Sequence, residues 1–441
     1  MLKLTDKKYI LSENVTRREG GELCFADVPL TALAEKYGTP LYLYDEERIR
    51  EKCRTYTNAV KLSFGEDGAE VLYASKAASF KRLYEIISEE GIGIDVVSVG
   101  EIKTAEAAGF PLERAYFHSN NKTDFDIEYA VERGIGYFVV DNAEELYAIS
   151  DIAKSRGVKQ RVLLRITPGI DPHTYAAVAT GKVDSKFGSA IETGQAKEIT
   201  KICLSLEGIK LSGFHCHVGS QVFDSDVYVK TAKVMLDFIK DIEAELGYTA
   251  EKLDIGGGFG VRYVESQPTI DIAALIGEIA DYMKSYAEKI KITLPKISFE
   301  PGRSIVADAG LTIYTVGTVK RIPGYKTYVS VDGGMADNPR FALYGSPYTI
   351  LSVSEETEAD SPIVSLVGRC CESGDILAEN IPLPSVKRGD LVACLTTGAY
   401  HFSMASNYNK LTRPPVVMLK NKEDHLVVRR QTEEDLLTLE L

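Results

Sequence analysis

The feature that most constrains this chain is a repeat of order, not of letters. Eight times between residues 69 and 299 a short β-rich run is followed by a longer helical stretch, at nearly constant spacing. The runs are Glu70–Ala74, Gly93–Val97, Arg114–His118, Gly136–Val140, Arg161–Ile166, Leu211–His215, Lys252–Ile255 and Pro295–Phe299. Between them, residues 225–247 place Met235, Phe238, Ile239, Ile242 and Leu246 at a helical period and end at Gly247, as a helix C-cap should. Right-handed crossovers with helices outside leave few closures for eight βα units, so the spacing predicts a parallel (β/α)8 barrel of the TIM type over residues 41–310.

After about residue 310 the rhythm changes to β-branched runs separated by Gly and Pro turns: Leu311–Val319, Thr327–Val331, Pro362–Val367, Gly389–Leu395 and Val416–Leu419. These predict a mostly antiparallel β domain over 311–441. The first 40 residues, with strand-like Tyr9-Ile10-Leu11 and a short helix before Gly38-Thr39-Pro40, are too few to stand alone and are expected to join that sheet. The connection from 167 to 190 is long and rich in Gly, Asp and Thr, which predicts a functional or mobile loop.

With 51 basic against 64 acidic residues the net charge is −13, which argues against general attraction to nucleic acid or anionic membrane. An anionic ligand would therefore need a local basic site. No apolar run approaches the roughly 18 residues that span a bilayer, and the N-terminus lacks the apolar stretch of a secretory signal. Seven cysteines, at 24, 53, 203, 216, 370, 371 and 394, include no Cys-x-x-Cys and predict free thiols, each first read as a buried apolar residue. A soluble, cytoplasmic protein is the expectation.

In a barrel of this kind chemistry sits where the strands end. Strand one runs into Ser75-Lys76-Ala77, strand six into His215-Cys216-His217-Val218-Gly219-Ser220, strand seven into Gly256-Gly257-Gly258 and strand eight into Glu300-Pro301-Gly302-Arg303. Lys76 is either a lysine snorkelling from a strand end or an amine placed to form a Schiff base with an aldehyde cofactor. The three glycines are either a tight turn or a nest of backbone amides for phosphate; they do not fit Gly-x-Gly-x-x-Gly opening a βαβ unit. His215 and His217 fall on one strand face and would suit a metal pair, but His118 alone of the other histidines stands at a strand end, so a metallohydrolase lacks ligands. No metal is expected. A noncatalytic carrier would need neither a proton donor nor substrate-reading residues.

Taken together the blocks resemble the fold-type III pyridoxal-phosphate-dependent decarboxylases, most closely the diaminopimelate decarboxylases. The resemblance runs through nearly the whole chain: Tyr73-Ala74-Ser75-Lys76-Ala77, Asp95 to Glu101, Asn120-Asn121-Lys122-Thr123, Pro168 to Thr174, Asp184 to Gly188, His217 to Gln221 and Glu300 to Arg303. In the second domain it takes in Asp332 to Arg340, Leu343-Tyr344-Gly345, Cys371 to Asp375 and Gly398-Ala399-Tyr400. Arg369, Ala78, Phe341 and the stretch Lys410 to Pro415 depart from the family pattern.

The resemblance implies pyridoxal 5'-phosphate as cofactor, with Lys76 as its covalent anchor, Glu300 at its ring nitrogen and His217 stacked on its ring. A salt bridge to Arg303 is the structural alternative for Glu300. Phosphate would go to Ser220, Gly256, Gly257, Gly258, Gly302, Arg303 and Tyr400. Cys371 is the implied proton donor, which suits a thiol because thiols, with a reference pKa of about 8.5, are mostly protonated near neutrality. Cys370 beside it is read as buried, since adjacent strand residues point opposite ways. Meso-diaminopimelate is the implied substrate, with Arg303, Arg340, Tyr344, Glu372 and Tyr400 binding it: two Arg forks for the distal carboxylate, Glu372 for the ammonium beside it. The runner-up is a related decarboxylase acting on another basic amino acid (D-ornithine, D-lysine, ornithine or arginine) or on carboxynorspermidine. A homodimer with shared active sites is implied as well.

Overall fold

The computed structural model describes residues 12–18, 21–170, 185–355, 357–358 and 360–441. The expected strand Tyr9-Ile10-Leu11, the block Asp171 to Thr174, Asp184 and much of the 167–190 connection lie outside the described residues. The chain divides into two compact units, one comprising Lys52–Gly260 and Thr269–Gly302, the other Met1–Glu51, Val261–Pro268 and Arg303–Leu441.

The first unit is a closed barrel of eight parallel strands with helices outside: β1 (Ala69–Ala74), β2 (Gly93–Val96), β3 (Ala115–Phe117), β4 (Tyr137–Val140), β5 (Gln160–Thr167), β6 (Ile209–His215), β7 (Lys252–Asp254) and β8 (Lys296–Phe299). Consecutive strands pair in register, and β8 closes on β1 through Ile297 opposite Ala69. All eight expected strands are present. The helix Ser225–Leu246 is also where its periodicity placed it: Asp224 caps its first turn, Gly247 ends it in the left-handed conformation, and Met235, Phe238, Ile239 and Ile242 are buried.

Side-chain alternation sorts the barrel interior into layers. Leu72, Tyr116, Tyr137, Val139 and Leu163 make an apolar layer. Glu70, Lys252 and Ser298 meet at the end where strands begin, and His118, His215 and Glu300 at the end where they finish. A slip of one residue in any strand would exchange these for wall-facing apolar side chains.

The second unit holds a nine-stranded, mostly antiparallel sheet built around the long strand Gly310–Ile322, which pairs with Lys326–Val331, Leu41–Asp45 and Leu391–Cys394. The five runs expected after residue 310 are all strands here. Strand Leu41–Asp45, which the sequence reading assigned to the barrel segment, belongs to this sheet instead, antiparallel to Gly310–Ile313 and parallel to Val416–Leu419. Among the described residues, the preceding ones do not join the sheet as ladder strands: Val15–Arg17, Leu23–Phe25 and Val28–Pro29 form a three-stranded sheet of their own. Their apolar side chains nevertheless share one core with it, where Val15, Leu23 and Phe25 meet the period-two pairs Leu41/Leu43, Leu311/Ile313 and Val417/Leu419.

Candidate active site

The C-terminal mouth of the barrel brings together most of the polar strand ends. β1 passes directly into a single turn, Ser75–Ala77, that lifts Lys76 out of the wall and leaves its side chain exposed. The turn is pinned on both sides. Tyr73 Oη donates to the Ala78 carbonyl at 2.9 Å, and the Ser75 amide donates to Asp95 Oδ1 at 2.9 Å. Burial and the negative charge of Glu300 push the Asp95 carboxyl up to about 7 against the opposing charge of Lys76. Glu101, in the first turn of the helix Val99–Ala107, accepts from the Val97 amide at 2.7 Å, and burial raises it to about 7 as well. The charge of Lys76 opposes the rise of both acids.

Glu300 is the electrostatic centre of the mouth. Its Oε2 lies 3.1 Å from His215 Nε2 in hydrogen-bond geometry, and its Oε1 lies 2.8 Å from His118 Nε2 without it, so Oε1 has no aligned donor. Burial alone would raise this carboxyl, but the two imidazoles hold it well below the usual range. Burial lowers both imidazoles, His215 to about 4. A neutral His215 ring bonded to the carboxylate, with a neutral His118 ring beside it, therefore describes the cluster better than two ion pairs. Glu300 is an anion, and one of its oxygens is left for a donor from elsewhere. These ring nitrogens and the carboxylate are also the His/acid cluster whose spacing would admit a metal ion, with ligand atoms within 4.8 Å of one another; it pairs His215 with His118, not with His217 as the sequence reading weighed.

The glycine triplet is dictated by close approach of backbone. A Cβ on Gly257 would stand 2.0 Å from the Glu300 carbonyl oxygen, and one on Gly258 2.1 Å from that of Gly219. Positive φ at Gly256 and Gly258 completes the requirement. The Gly256 amide turns to Asp254 Oδ1 at 2.7 Å and the Gly257 amide to His217 Nδ1 at 3.3 Å; the Gly258 amide has no partner among the described residues. His217 therefore presents Nδ1 as an acceptor, and burial with the charge of Lys76 keeps the ring neutral. Gly302 follows Glu300-Pro301 where a Cβ would meet that of Ala74 at 2.6 Å.

The other predicted residues belong to the second unit. Arg303, buried, donates to Tyr263 Oη at 2.8 Å and lies 4.7 Å from the centre of the Tyr400 ring. Arg340, also buried, lies 4.9 Å from the same ring and 4.3 Å from that of Tyr344. Tyr400 thus stands between two guanidinium groups, at a left-handed φ of 69° that a tyrosine adopts only under constraint. Cys371 and Glu372 lie on an exposed loop, anchored by the Cys371 amide on Asn409 Oδ1 at 2.8 Å and the Cys370 amide on Asp375 Oδ2 at 2.7 Å. That loop is a series of bends, not a strand, so the alternation argument for the cysteine pair does not hold. Cys370 is half-buried, and burial with Asp375 pushes its thiol up to about 11; the other five thiols are buried and all seven are free.

Sequence reasoning placed His118 at a strand end but weighed it only as a metal ligand, and gave Asp95, Glu101, Arg165 and Asp254 no role in this mouth. Arg165, partly buried over the Phe187 ring, and Asp254, raised by burial and Glu300 with Oδ2 unbonded, surround the same carboxylate. The usable signal was alternation: His118, Arg165 and Asp254 each fall an even number of residues from an inward position of their own strand.

The residues fit pyridoxal phosphate: a buried anion with a free oxygen suits a protonated ring nitrogen, and an exposed lysine stands in the same mouth. Comparison with known proteins agrees. Residues 46–307 match the family model of the pyridoxal-dependent decarboxylases, pyridoxal binding domain. The chain is 45% identical over 425 residues to the diaminopimelate decarboxylase of Bacillus subtilis, covering 96% of each. It is 43% identical to that of Staphylococcus aureus, covering 96% of this chain and 98% of the relative. The crystal structure of diaminopimelate decarboxylase from M. jannaschii in complex with L-lysine superimposes with a TM-score of 0.89 at 33% identity, covering 98% of both chains. The chain belongs to the fold-type III pyridoxal-dependent decarboxylases, among the diaminopimelate decarboxylases.

Proposed function

We propose that the chain decarboxylates meso-2,6-diaminopimelate to L-lysine and carbon dioxide, the closing step of lysine biosynthesis, with pyridoxal 5'-phosphate. The observation that carries this is Glu300: a buried carboxylate kept ionised by neutral imidazoles, with one oxygen unbonded, in the mouth that holds Lys76. Bound pyridoxal phosphate supplies an electron sink for the pair left at Cα when carbon dioxide departs. Lys76 Nζ is the amine that anchors the cofactor, Glu300 holds the proton on its ring nitrogen, and the neutral His217 ring offers an uncharged face for stacking. Ser220, Gly256, Gly257, Gly258, Gly302, Arg303 and Tyr400 bind the phosphate. Cys371 Sγ–H delivers a proton to Cα. Arg303 and Arg340, with Tyr344, Tyr400 and Glu372, read the distal amino-acid end of the substrate; a decarboxylase for lysine, ornithine or arginine would have no distal carboxylate for the two guanidinium groups.

The site is read as shared in a homodimer, Cys371 and Glu372 of one chain serving the cofactor of its partner. Seven free thiols and the absence, among the described residues, of any helix long and apolar enough to cross a membrane support a cytoplasmic setting.

A panel assay of carbon dioxide release tests the substrate. Diaminopimelate is expected to lead in kcat/KM over D-ornithine, D-lysine, ornithine, arginine and carboxynorspermidine; a higher value for any of these would replace it. Metal analysis of the same active sample tests the His118–His215–Glu300 cluster: stoichiometric metal that activity requires would overturn the cofactor's claim on Glu300.

A further inference from the structure

The barrel has a second opening, at the end where its strands begin, and nothing assigned above uses it. A cavity of about 480 Å³ lies there, within the size range of small-molecule sites. Five cationic side chains line it, Lys61, Arg114, Arg161, Lys252 and Lys296, against three acids, Glu66, Glu70 and Glu113, in a chain whose net charge is −13. The cations are not evenly matched to the acids. Lys61 pairs with Glu66 at the exposed rim, 3.1 Å apart. Lys252 and Lys296 share the single carboxylate of Glu70. Arg114 and Arg161 have no carboxylate within ion-pair distance among the described residues: Arg114 donates to the Ile92 carbonyl at 2.6 Å, and Arg161 donates to Tyr137 Oη at 3.1 Å while lying 4.3 Å from that ring's centre. Both side chains are only partly exposed. The cavity wall between them is aromatic and fixed, since Tyr116 and Tyr137 stack at 4.4 Å and Tyr116 Oη is bonded to Glu70.

We propose that this cavity binds a small, multiply charged oxyanion, an organic phosphate or a polycarboxylate, through the guanidinium forks of Arg114 and Arg161 with the Lys252–Lys296 pair behind them. A surface arginine without an acid is ordinary; two that line one concave, half-enclosed space beside two ammonium groups sharing one carboxylate leave positive charge that a planar oxyanion matches in geometry and sign. The volume exceeds what a single inorganic ion fills, so the bound species carries an organic body or a second anionic group.

The test uses borohydride-reduced holoenzyme, in which the cofactor is fixed and its phosphate site stays filled. Pyrophosphate and citrate are titrated separately by calorimetry at low ionic strength. Saturable binding of one probe per chain is expected, and the probe that binds tells phosphate chemistry from carboxylate chemistry. The double variant R114Q/R161Q should weaken it at least about tenfold, and R133Q, an exposed arginine paired with Glu106, should leave it unchanged. No saturable binding of either probe at millimolar concentration, or equal binding in the double variant, overturns the proposal. Should that variant fold poorly, arginine footprinting with phenylglyoxal on the wild-type chain decides: the bound probe must protect Arg114 and Arg161 above the other arginines, and absence of protection counts against the site.

Discussion

Glu70 and Glu300 occupy opposite ends of one cylinder, at the start of β1 and just past the end of β8, and their surroundings differ in kind. Glu70 Oε1 accepts from three donors, Tyr116 Oη at 2.6 Å, Ser298 Oγ at 2.9 Å and Lys252, and its Oε2 is paired with the Lys296 ammonium at 3.2 Å. Glu300 has two neutral imidazoles and an oxygen with no aligned donor. Burial raises both carboxyls and both end up lowered, but the first is held by two cations and the second by two imidazoles. A carboxylate that serves the fold is partnered at both oxygens. One that serves a ligand keeps a lone pair unfilled, at a cost in stability that the ligand offsets when it binds.

The largest effect should come from the finishing end. Lys76→Ala is expected to abolish turnover together with the visible absorption of bound cofactor, and borohydride reduction of the wild type followed by peptide mapping should place the label on Lys76. Label on another lysine, or none, would sink the assignment. Cys371→Ala should lower kcat by roughly 10²–10⁴, the range for losing a general acid. It also sharpens the comparison, because only this mouth is read as needing a second chain. If Lys76→Ala and Cys371→Ala subunits are dissociated and mixed, about half the dimers are mixed with one intact site of two, and activity should return to roughly a quarter of wild type. No recovery above the separate variants would mean that the site closes within one chain.

Glu300→Gln comes next. An amide keeps the shape but cannot hold the ring nitrogen protonated, so kcat should fall by roughly 10²–10³, the range for one preorganised electrostatic group. A variant with unchanged kcat would remove the distinction drawn between the two carboxylates.

The two ends were also unequally legible. The barrel could be read because each βα unit is local: the helix Ser225–Leu246 carries its own period, cap and Gly247 stop. Strand Leu41–Asp45 misled because it too precedes a helix, Glu46–Phe64, and so looks like the first βα unit. Its partners, Gly310–Ile313 and Val416–Leu419, lie hundreds of residues away, and nothing local announces them. The same holds for the site. Lys76, the glycine triplet and Glu300 declare themselves by chemistry at strand ends, whereas the grip of His118 and His215 on Glu300 depends on how far each strand is sheared against the next, which periodicity does not fix.

The smallest expected effect belongs to Glu70 and is read in stability. Its carboxyl is lowered to about 2 although burial alone would raise it, because the Lys252 ammonium and the hydrogen bonds from Lys252 and Tyr116 outweigh the desolvation. In the unfolded chain a glutamate titrates near about 4.3. A group with a depressed folded pKa stabilises the fold above its unfolded value and loses that contribution as pH falls through its folded one. The window is therefore about pH 4.3 down to about 2, and the contribution at neutral pH is about 2 kcal/mol once the partial exposure of Glu70 is allowed for. Glu70→Gln should lower the unfolding free energy at pH 7 by that amount, measured by denaturant titration. Between pH 4.3 and 2 its acid limb should be shallower than that of the wild type, because one fewer proton is taken up on unfolding. Parallel acid limbs would mean that the three donors and the Lys296 ion pair at the starting end do not hold Glu70 as the distances indicate, and the contrast with Glu300 would then rest on the finishing end alone.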